Sequence, residues 1–201
     1  INITSTYELF YNQNNYDDNI HNFNDDISDW NTSNIINMEY MFCGAKKFNQ
    51  PIGNWNISNV EDITSMFYKA KEFNQPLEKW DVSNVIHMID LFAYTKKFNQ
   101  PLNNWNISKV RSINCIFNAC EMFNQPLNNW DTSNINNMGS AFIGCRKFNQ
   151  PLNNWNTSNV IIMEGMFNNT YEFNQLIDNW DIAKVENMKG MFYGAKKFNK
   201  S

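Results

Sequence analysis

Histidine is the side chain best suited to acid–base chemistry near neutral pH, and it occurs only at His21 and His87, in separate segments. A catalytic triad or a metal site built on either residue needs carboxylate, serine or cysteine partners, and the sequence points to none. His87 stands at a position that other segments fill with Asn, Asp, Ser or Ile, which is typical of exposed surface.

Carboxylates could also carry acid–base chemistry or bind calcium. Asp81, Asp131 and Asp181 each follow a tryptophan directly, at a position that Asn occupies after the other tryptophans. A position that accepts Asp and Asn alike indicates a hydrogen-bonding role in a turn. The chain also has only seven glycines and no phosphate-binding glycine motif. We therefore predict a protein that is not an enzyme and needs no cofactor or metal.

The four cysteines, Cys43, Cys115, Cys120 and Cys145, show no metal-binding spacing. Cys120 and Cys145 lie at equivalent positions of consecutive segments, where other segments carry Ala or Thr. The position therefore favours a small buried side chain, and we predict free thiols rather than a disulfide.

Basic residues recur in pairs with glutamates between them. The pairs are Lys46-Lys47, Lys96-Lys97, Arg146-Lys147 and Lys196-Lys197. An unbroken basic ridge would indicate an anionic partner, but the interruptions favour ordinary charges at helix ends. Together with the net charge of −4, this pattern predicts no nucleic-acid partner.

A 25-residue repeat positions all of these residues. The segment Phe-Asn-Gln-Pro-Leu-Asn-Asn-Trp stands at 98–105, 123–130 and 148–155, and looser copies extend the series from Phe23 onward. All seven tryptophans share one position of the repeat, and two further positions hold 15 of the 16 phenylalanines. Such a repeat predicts stacked units with a layered aromatic core.

Each repeat has two halves. Between Ser58 and Phe73, the apolar spacing and a Ser–Glu capping pair predict a short helix. After Pro76 we predict a short parallel strand around residues 80–82, with a strand over Phe-Asn-Gln as the alternative. The predicted fold is an α/β solenoid, a leucine-rich-repeat-like right-handed coil of about seven 25-residue turns over residues 23–201. Residues 1–22 form an N-terminal cap, with a helix starting near Thr4 and a turn over 12–19.

Asn and Gln follow the first phenylalanine of nearly every repeat. A side-chain amide at the same position of each unit can donate to a backbone carbonyl and accept from the neighbouring N–H. We therefore predict Asn and Gln ladders with a structural role.

Specificity must lie at positions that vary between repeats, because repeat proteins bind partners across several units. One such position defines the binding column, our candidate partner-binding site. Its members are Ile36, Glu61, Ile86, Arg111, Asn136, Ile161 and Glu186. Apolar members indicate either a contact patch or partial burial between helices.

The segments Met41-Phe42-Cys43-Gly44-Ala45 and Met191-Phe192-Tyr193-Gly194-Ala195, each followed by Lys-Lys-Phe-Asn, carry a family resemblance. Residues 23–201 resemble the BspA-like leucine-rich-repeat surface proteins, in the subgroup of 25-residue repeats first seen in mycoplasma lipoproteins of unknown function. The resemblance implies display on a cell or virion surface, adhesion or protein binding, and no catalytic residues.

We therefore predict a non-enzymatic repeat scaffold that binds a protein or glycan. The alternative is an architectural component of a virion or cell surface that packs with itself, so self-association stays open. No apolar run is long enough for a transmembrane segment.

Overall fold

The computed structural model describes residues 3–11 and 22–200, and their backbone alternates short turns with segments that have no regular secondary structure. In these ranges only Asn22 is helical, and β-pairing is limited to isolated single-residue bridges. We number the repeats 1 to 7 from Phe23, Phe48, Phe73, Phe98, Phe123, Phe148 and Phe173. Parallel bridges join equivalent residues of neighbouring repeats, such as Asn37 with Asp62, so the repeats stack in register.

The prediction of an α/β solenoid of helix-plus-strand turns is wrong. Residues 58–73, predicted as a helix, form consecutive tight turns in which Met66 N–H donates to Ile63 O and Ala70 N–H to Phe67 O, at 3.2 and 2.9 Å. Ser65 and Lys69 have φ of 54° and 61°, in the left-handed region that a right-handed helix cannot contain. In each turn, the N–H of one residue donates to the carbonyl three residues earlier. Such turns bury side chains at the spacing of a helix face, so the apolar spacing resembled that of a helix.

The same turns also pair with the next repeat. Alternate backbone N–H groups donate across the boundary: Ile63 to His87 O, Ser65 to Ile89 O and Phe67 to Leu91 O, at 2.8–3.0 Å. We call this segment, residues 38–45 and its equivalents in later repeats, the turn ladder. Its N–H groups therefore alternate between partners in the same turn and partners in the next repeat, which satisfies the donors without helix or sheet.

Both predicted strand positions are wrong. Among the described residues, no bridge lies at 80–82 or over Phe-Asn-Gln, and the repeats pair at Asp62, His87 and the equivalent residues. Pro76, between the two candidate segments, has no N–H to donate, and in this half of the repeat side chains such as Gln75 and Trp80 join the repeats instead of backbone groups.

The predicted aromatic core is confirmed. Phe67 and Phe73, six residues apart, stack with ring centroids 4.1 Å apart, and Phe67 stacks on its equivalent Phe92 at 5.6 Å. Trp80 and Trp105 form a parallel column with a 6.4 Å separation. These rings are at most 3% exposed, so the core runs along the whole stack.

The predicted amide ladders are also confirmed. The Asn side chain accepts a hydrogen bond from a backbone N–H, and the Gln side chain donates one to a backbone carbonyl. Asn99 Oδ1 accepts from Asn124 N–H at 2.9 Å, and Gln125 Nε2 donates to Asn99 O at 3.1 Å. Trp105 extends the scheme, because its Nε1 donates to Leu77 O of the preceding repeat at 3.0 Å. Side chains thus make the connections between repeats throughout the Phe-Asn-Gln-Pro-Leu-x-x-Trp segment.

The helix predicted near Thr4 is wrong, because residues 3–11 form a partial repeat. Ser5 bridges to Asn37, and Thr6, Glu8 and Phe10 N–H donate to Asn37, Glu39 and Met41 O at 3.0–3.2 Å. Glu8 has the left-handed φ of 54° that Tyr40 shows at the equivalent position. The turn predicted over 12–19 lies outside the described residues.

The ring geometry supports the same equivalence. Phe10 stacks on Phe23 with centroids 3.9 Å apart, as Phe42 does on Phe48. However, Phe10 and Phe23 are 13 residues apart in sequence, whereas Phe42 and Phe48 are six apart. The extra seven residues hide this copy from a search for a 25-residue period.

In the described ranges, no helix has both the length and the apolar character needed to cross a bilayer.

Candidate partner-binding face

The binding column lies on the surface. Six of its seven side chains are exposed and Ile86 is half-buried. Ile36 and Ile161, the apolar members most open to solvent, are 45% and 38% exposed. The column is therefore accessible to a partner along most of the stack, and its role in binding stays a prediction.

The backbone beneath the column is fixed. Glu61 N–H donates to Ile36 O, Ile86 N–H to Glu61 O and Ile161 N–H to Asn136 O, each at 2.8 Å. Backbone atoms make these bonds, so the side chain at each position is free to vary. Neighbouring members are spaced at about the 4.8 Å of adjacent strands, close enough for one partner to contact several of them.

Among the described residues, the backbone pairing of the binding column is interrupted at one boundary, between repeats 3 and 4, whereas the turn ladder stays paired there. Within residues 22–200, no backbone hydrogen bond joins Arg111 to Ile86, and no bridge joins His87 to Ser112. A surface depression, the Arg111 depression, opens at this boundary. Its lining residues are Ile86, Ser108, Lys109, Arg111, Asn134, Asn136 and Asn159. The structure therefore brings three members of the binding column, Ile86, Arg111 and Asn136, to one site.

The Arg111 depression carries unneutralised positive charge. Lys109 Nζ donates to Asn84 Oδ1 at 2.6 Å, and the Arg111 guanidinium has no hydrogen-bond or ion-pair partner in the described part of the chain. A guanidinium and an ammonium beside neutral amides suit a carboxylate or sulfate group, which accepts charge-assisted hydrogen bonds.

The recurring Lys and Arg pairs behave differently. Glu121 accepts from Lys96 at 2.8 Å and lies 3.4 Å from Arg146, so it connects repeat 4 to both repeat 3 and repeat 5. Lys97 pairs with Glu72 in the same way. The interpretation as helix-end charges is wrong because no helix ends there. These cations are partly neutralised across repeat boundaries, which leaves the Arg111 depression as the more available cationic site of the two.

A second groove lies along the turn ladder near the N-terminal end. Tyr68 and Tyr94 meet edge to face at 5.6 Å, and Lys69 Nζ lies 4.9 Å from the Tyr68 ring centroid. Burial raises the pKa of Asp90, which lines the same groove together with Tyr11. Aromatic faces beside a carboxylate offer stacking and hydrogen bonding. Sequence reasoning missed this groove, although Tyr40, Ser65 and Asp90 share one repeat position.

The cysteines are free in the structure, as predicted. The thiols of Cys120 and Cys145 donate to Phe92 O and Phe117 O at 2.8 Å, as the hydroxyls of Thr95 and Thr170 do at the equivalent position. Burial raises the pKa of Cys43 to about 12 and that of Cys115 to about 11, so these thiols stay protonated near neutral pH.

The carboxylates that follow tryptophan have the predicted turn role. Asp81 and Asp131 accept from the N–H of Ser83 and Ser133 at 3.0 Å, and the serine hydrogen bonds lower the pKa of both carboxyls. Asn56 accepts from Ser58 N–H in the same geometry. Within the described ranges, no three His, Cys, Asp or Glu side chains are placed to hold a metal ion.

Lys109 is the site residue that sequence reasoning missed. Asn59, Asn84 and Asn134 hold its position in other repeats, and each donates its Nδ2 to a serine carbonyl of the preceding repeat. Lys109 instead reaches the Asn84 side chain. The signal was a cation at a position where asparagine otherwise predominates.

Stacked turns, an aromatic core and amide ladders define a repeat protein with a variable surface. The family described as "Mycoplasma protein of unknown function, DUF285" matches residues 1–105, 54–154 and 112–201, and the chain belongs to this family. The first match includes residues 3–11, in agreement with the partial repeat there. Searches of curated proteins and of solved structures each find no match.

Proposed function

We propose that this chain is a non-enzymatic binding scaffold, displayed on a surface, that docks a protein or glycan through its binding column. One observation carries the proposal: the side chains of the column vary and are mostly exposed, while hydrogen bonds between repeats hold the backbone beneath them, except between Ile86 and Arg111. A partner therefore meets a preorganised row of side chains, which lowers the entropic cost of binding.

The Arg111 depression is the proposed centre of this interface. Arg111 and Lys109 supply positive charge, and Asn136 with its neighbours supplies amide donors and acceptors. Charged side chains with free donors favour a partner that presents carboxylate or sulfate groups, such as an acidic protein loop or a uronic-acid or sulfated glycan. Display outside a cell and a role in adhesion rest on the resemblance to BspA-like surface proteins and are part of the proposal.

The test is a binding screen of the immobilised chain against sulfated and uronic-acid oligosaccharides, neutral oligosaccharides and extracellular-matrix proteins. We expect saturable binding to an acidic probe, weakened by salt. The double variant Lys109→Ala/Arg111→Ala should reduce affinity by about tenfold or more, because each charge-assisted hydrogen bond contributes about 1.5–3 kcal/mol.

Lys79→Ala is the control. Lys79 is another exposed lysine that donates to an asparagine of the preceding repeat, Asn54 Oδ1 at 3.5 Å, but it lies outside the Arg111 depression. This variant should bind the acidic probe as the unmodified chain does. Equal loss in both variants would indicate nonspecific charge attraction, and a screen without any saturable binding would contradict the proposal.

A further inference from the structure

The groove along the turn ladder gathers tyrosine rings around one carboxylate. We call it the tyrosine groove. It has a volume of about 300 Å³, and its lining includes Tyr40, Ser65, Tyr68, Asp90, Tyr94 and Asn118. These residues belong to repeats 1–4, and none of them is a member of the binding column. The groove is therefore a second candidate site, whose ligand can differ from that of the column.

The fold does not require a tyrosine at one of these positions. Tyr94 has a left-handed φ of 62°, and its equivalents Gly144 and Gly194 have φ of 72° and 71°. Tyrosine in this conformation is strained relative to glycine. The Tyr94 N–H donates to Asn118 O at 2.6 Å, so the backbone rather than the ring holds the position. The ring itself is 38% exposed, and a strained, exposed aromatic residue is typical of a functional surface.

Asp90 places a half-buried carboxylate beside these rings. This carboxylate has no ion-pair partner in the part of the chain that the structure describes. Burial raises the pKa of Asp90, and a hydrogen bond from Cys115 offsets only part of that rise. A partly buried carboxylate without a cation costs free energy, which a cationic ligand would recover.

The charges around the groove are mainly negative. Cys43, which lines the groove, lies near the carboxylates of Glu8 and Asp90 and near the ammonium of Lys69. Glu39, directly before a lining tyrosine in sequence, adds a third carboxylate. Three carboxylates outweigh one ammonium, so this part of the surface attracts cations and repels acidic ligands. Its preference is the opposite of that of the Arg111 depression.

Lys69 shows how the groove can hold a cation. Its Nζ lies 4.9 Å from the centroid of the Tyr68 ring, within the range of a cation–π interaction. The rings of Tyr68 and Tyr94 meet at an angle of 74° with centroids 5.6 Å apart. An ammonium of the chain itself thus occupies a ring face that a ligand ammonium can take.

We propose that the tyrosine groove binds the side-chain ammonium or guanidinium of a basic peptide segment in a partner protein. The cation lies against the tyrosine rings and donates charge-assisted hydrogen bonds to Asp90 and to the Asn118 side chain. A quaternary ammonium fits less well, because it has no N–H to donate. Lys69 competes for the Tyr68 ring and therefore limits the affinity.

Titration of the isotope-labelled 201-residue chain, followed through its amide chemical shifts, tests the proposal. The probe is the capped peptide acetyl-Gly-Lys-Gly-Lys-Gly-amide, and two further peptides carry glutamine or trimethyllysine in place of both lysines. We expect saturable shift changes with the lysine peptide at the amides of Tyr68, Asp90 and Tyr94, weakened by salt. The other two peptides should bind more weakly.

Asp90→Asn removes the carboxylate and should reduce the affinity for the lysine peptide about tenfold. Asp81→Asn is the matched control, because it makes the same change of charge outside the groove. Asn56 makes the same turn as Asp81, so the control variant keeps the fold and should bind as the unmodified chain does. The amide spectra of both variants also report whether they are folded.

Lys69→Ala is the decisive variant. It frees the Tyr68 ring face and should increase the affinity for the lysine peptide about threefold. Tyr94→Leu should reduce the affinity about threefold, whereas Tyr94→Phe keeps the ring face and should retain it.

Five results would overturn the proposal. They are the absence of saturable shifts, equal loss in Asp90→Asn and Asp81→Asn, a Lys69→Ala chain that binds no more tightly, equal affinity of Tyr94→Leu and Tyr94→Phe, and a glutamine or trimethyllysine peptide that binds as tightly as the lysine peptide.

Discussion

The turn ladder and the Phe-Asn-Gln-Pro-Leu-x-x-Trp segment connect the same repeats by different means. In the turn ladder, backbone N–H groups such as those of Ser65 and Phe67 donate directly to the next repeat. In the other segment, the connections run through the side chains of Asn99, Gln125 and Trp105. Within the described residues, the only backbone-to-backbone hydrogen bonds of the latter segment that cross a repeat boundary close a local turn, as from Phe73 N–H to Ala70 O.

This difference explains where the sequence varies. One turn-ladder position holds Tyr40, Ser65, Asp90, Cys115 and Ser140 in successive repeats, all with left-handed φ. The Asn and Gln positions hardly change, because only those amides complete the hydrogen bonds. Side chains are free to change where the backbone makes the connection and are fixed where they make it themselves.

Trp105→Ala should have the largest effect. The ring is 3% exposed, and its removal leaves a cavity and deletes the hydrogen bond from Trp105 Nε1 to Leu77 O, which keeps only the Trp80 N–H. We expect a loss of about 3–5 kcal/mol in the free energy of unfolding, measured by chemical denaturation. Trp30→Ala is the control, since Trp30 is 41% exposed and should cost clearly less. Equal costs would show that the tryptophan column does not stabilise the stack through burial.

Asn99→Ala tests the amide ladder itself. The change removes the acceptor of Asn124 N–H and one of the two acceptors of Gln125 Nε2. We expect a loss of about 1–3 kcal/mol, the cost of leaving a partly buried donor unpaired. Asn104→Ala in the same repeat is the control, because its exposed side chain has no hydrogen-bond partner in the described ranges. A loss no greater than that of Asn104→Ala would assign the ladder no stabilising role.

Glu121→Gln tests a connection between charged side chains. Glu121 is partly exposed, so we expect a cost below about 1 kcal/mol at low salt. The hydrogen bond from Lys96 lowers the pKa of Glu121, so its contribution is present above a pH of about 4.3 and is lost as the pH falls through the lower folded-state pKa. Denaturation curves of the unmodified chain and of Glu121→Gln at several pH values measure this contribution. A difference in their free energy of unfolding that does not shrink at acid pH would contradict the prediction.

Glu61→Ala should have the smallest effect. The side chain is exposed in the binding column, and the backbone of Glu61 keeps its hydrogen bonds to neighbouring repeats. We expect a change within about 0.5 kcal/mol in the free energy of unfolding. A loss as large as that of Asn99→Ala would show that column side chains also hold the repeats together, which would weaken the comparison between the two segments.

The sequence predicted the core and the amide ladders well, because burial and side-chain pairing follow the 25-residue period. It did not predict the secondary structure. Turns in which an N–H donates to the carbonyl three residues earlier give Ile63, Met66 and Phe67 the spacing of a helix face. The sequence did not indicate the left-handed backbone, because Ser65 and Lys69 occupy positions of positive φ at which glycine would be expected.

Prediction of the candidate site was partial for a different reason. Exposure of the binding column follows from its variability, so the sequence indicated an exposed column, and the role of the column in binding stays a prediction. The Arg111 depression depends on backbone bonds that are missing between Ile86 and Arg111, and bond geometry of this kind has no signature in composition or period. The partial repeat at residues 3–11 was missed because seven extra residues displace it from the period.

The interrupted boundary between repeats 3 and 4 has a consequence for unfolding. In a stack where each unit contacts only its neighbours, cooperativity passes through every boundary in turn, and the weakest coupling sets where the array divides. The missing bridge between His87 and Ser112 places that division near the middle of the chain. The two halves should therefore exchange their amide hydrogens as separate blocks, with the amides at the Arg111 depression exchanging before those on either side.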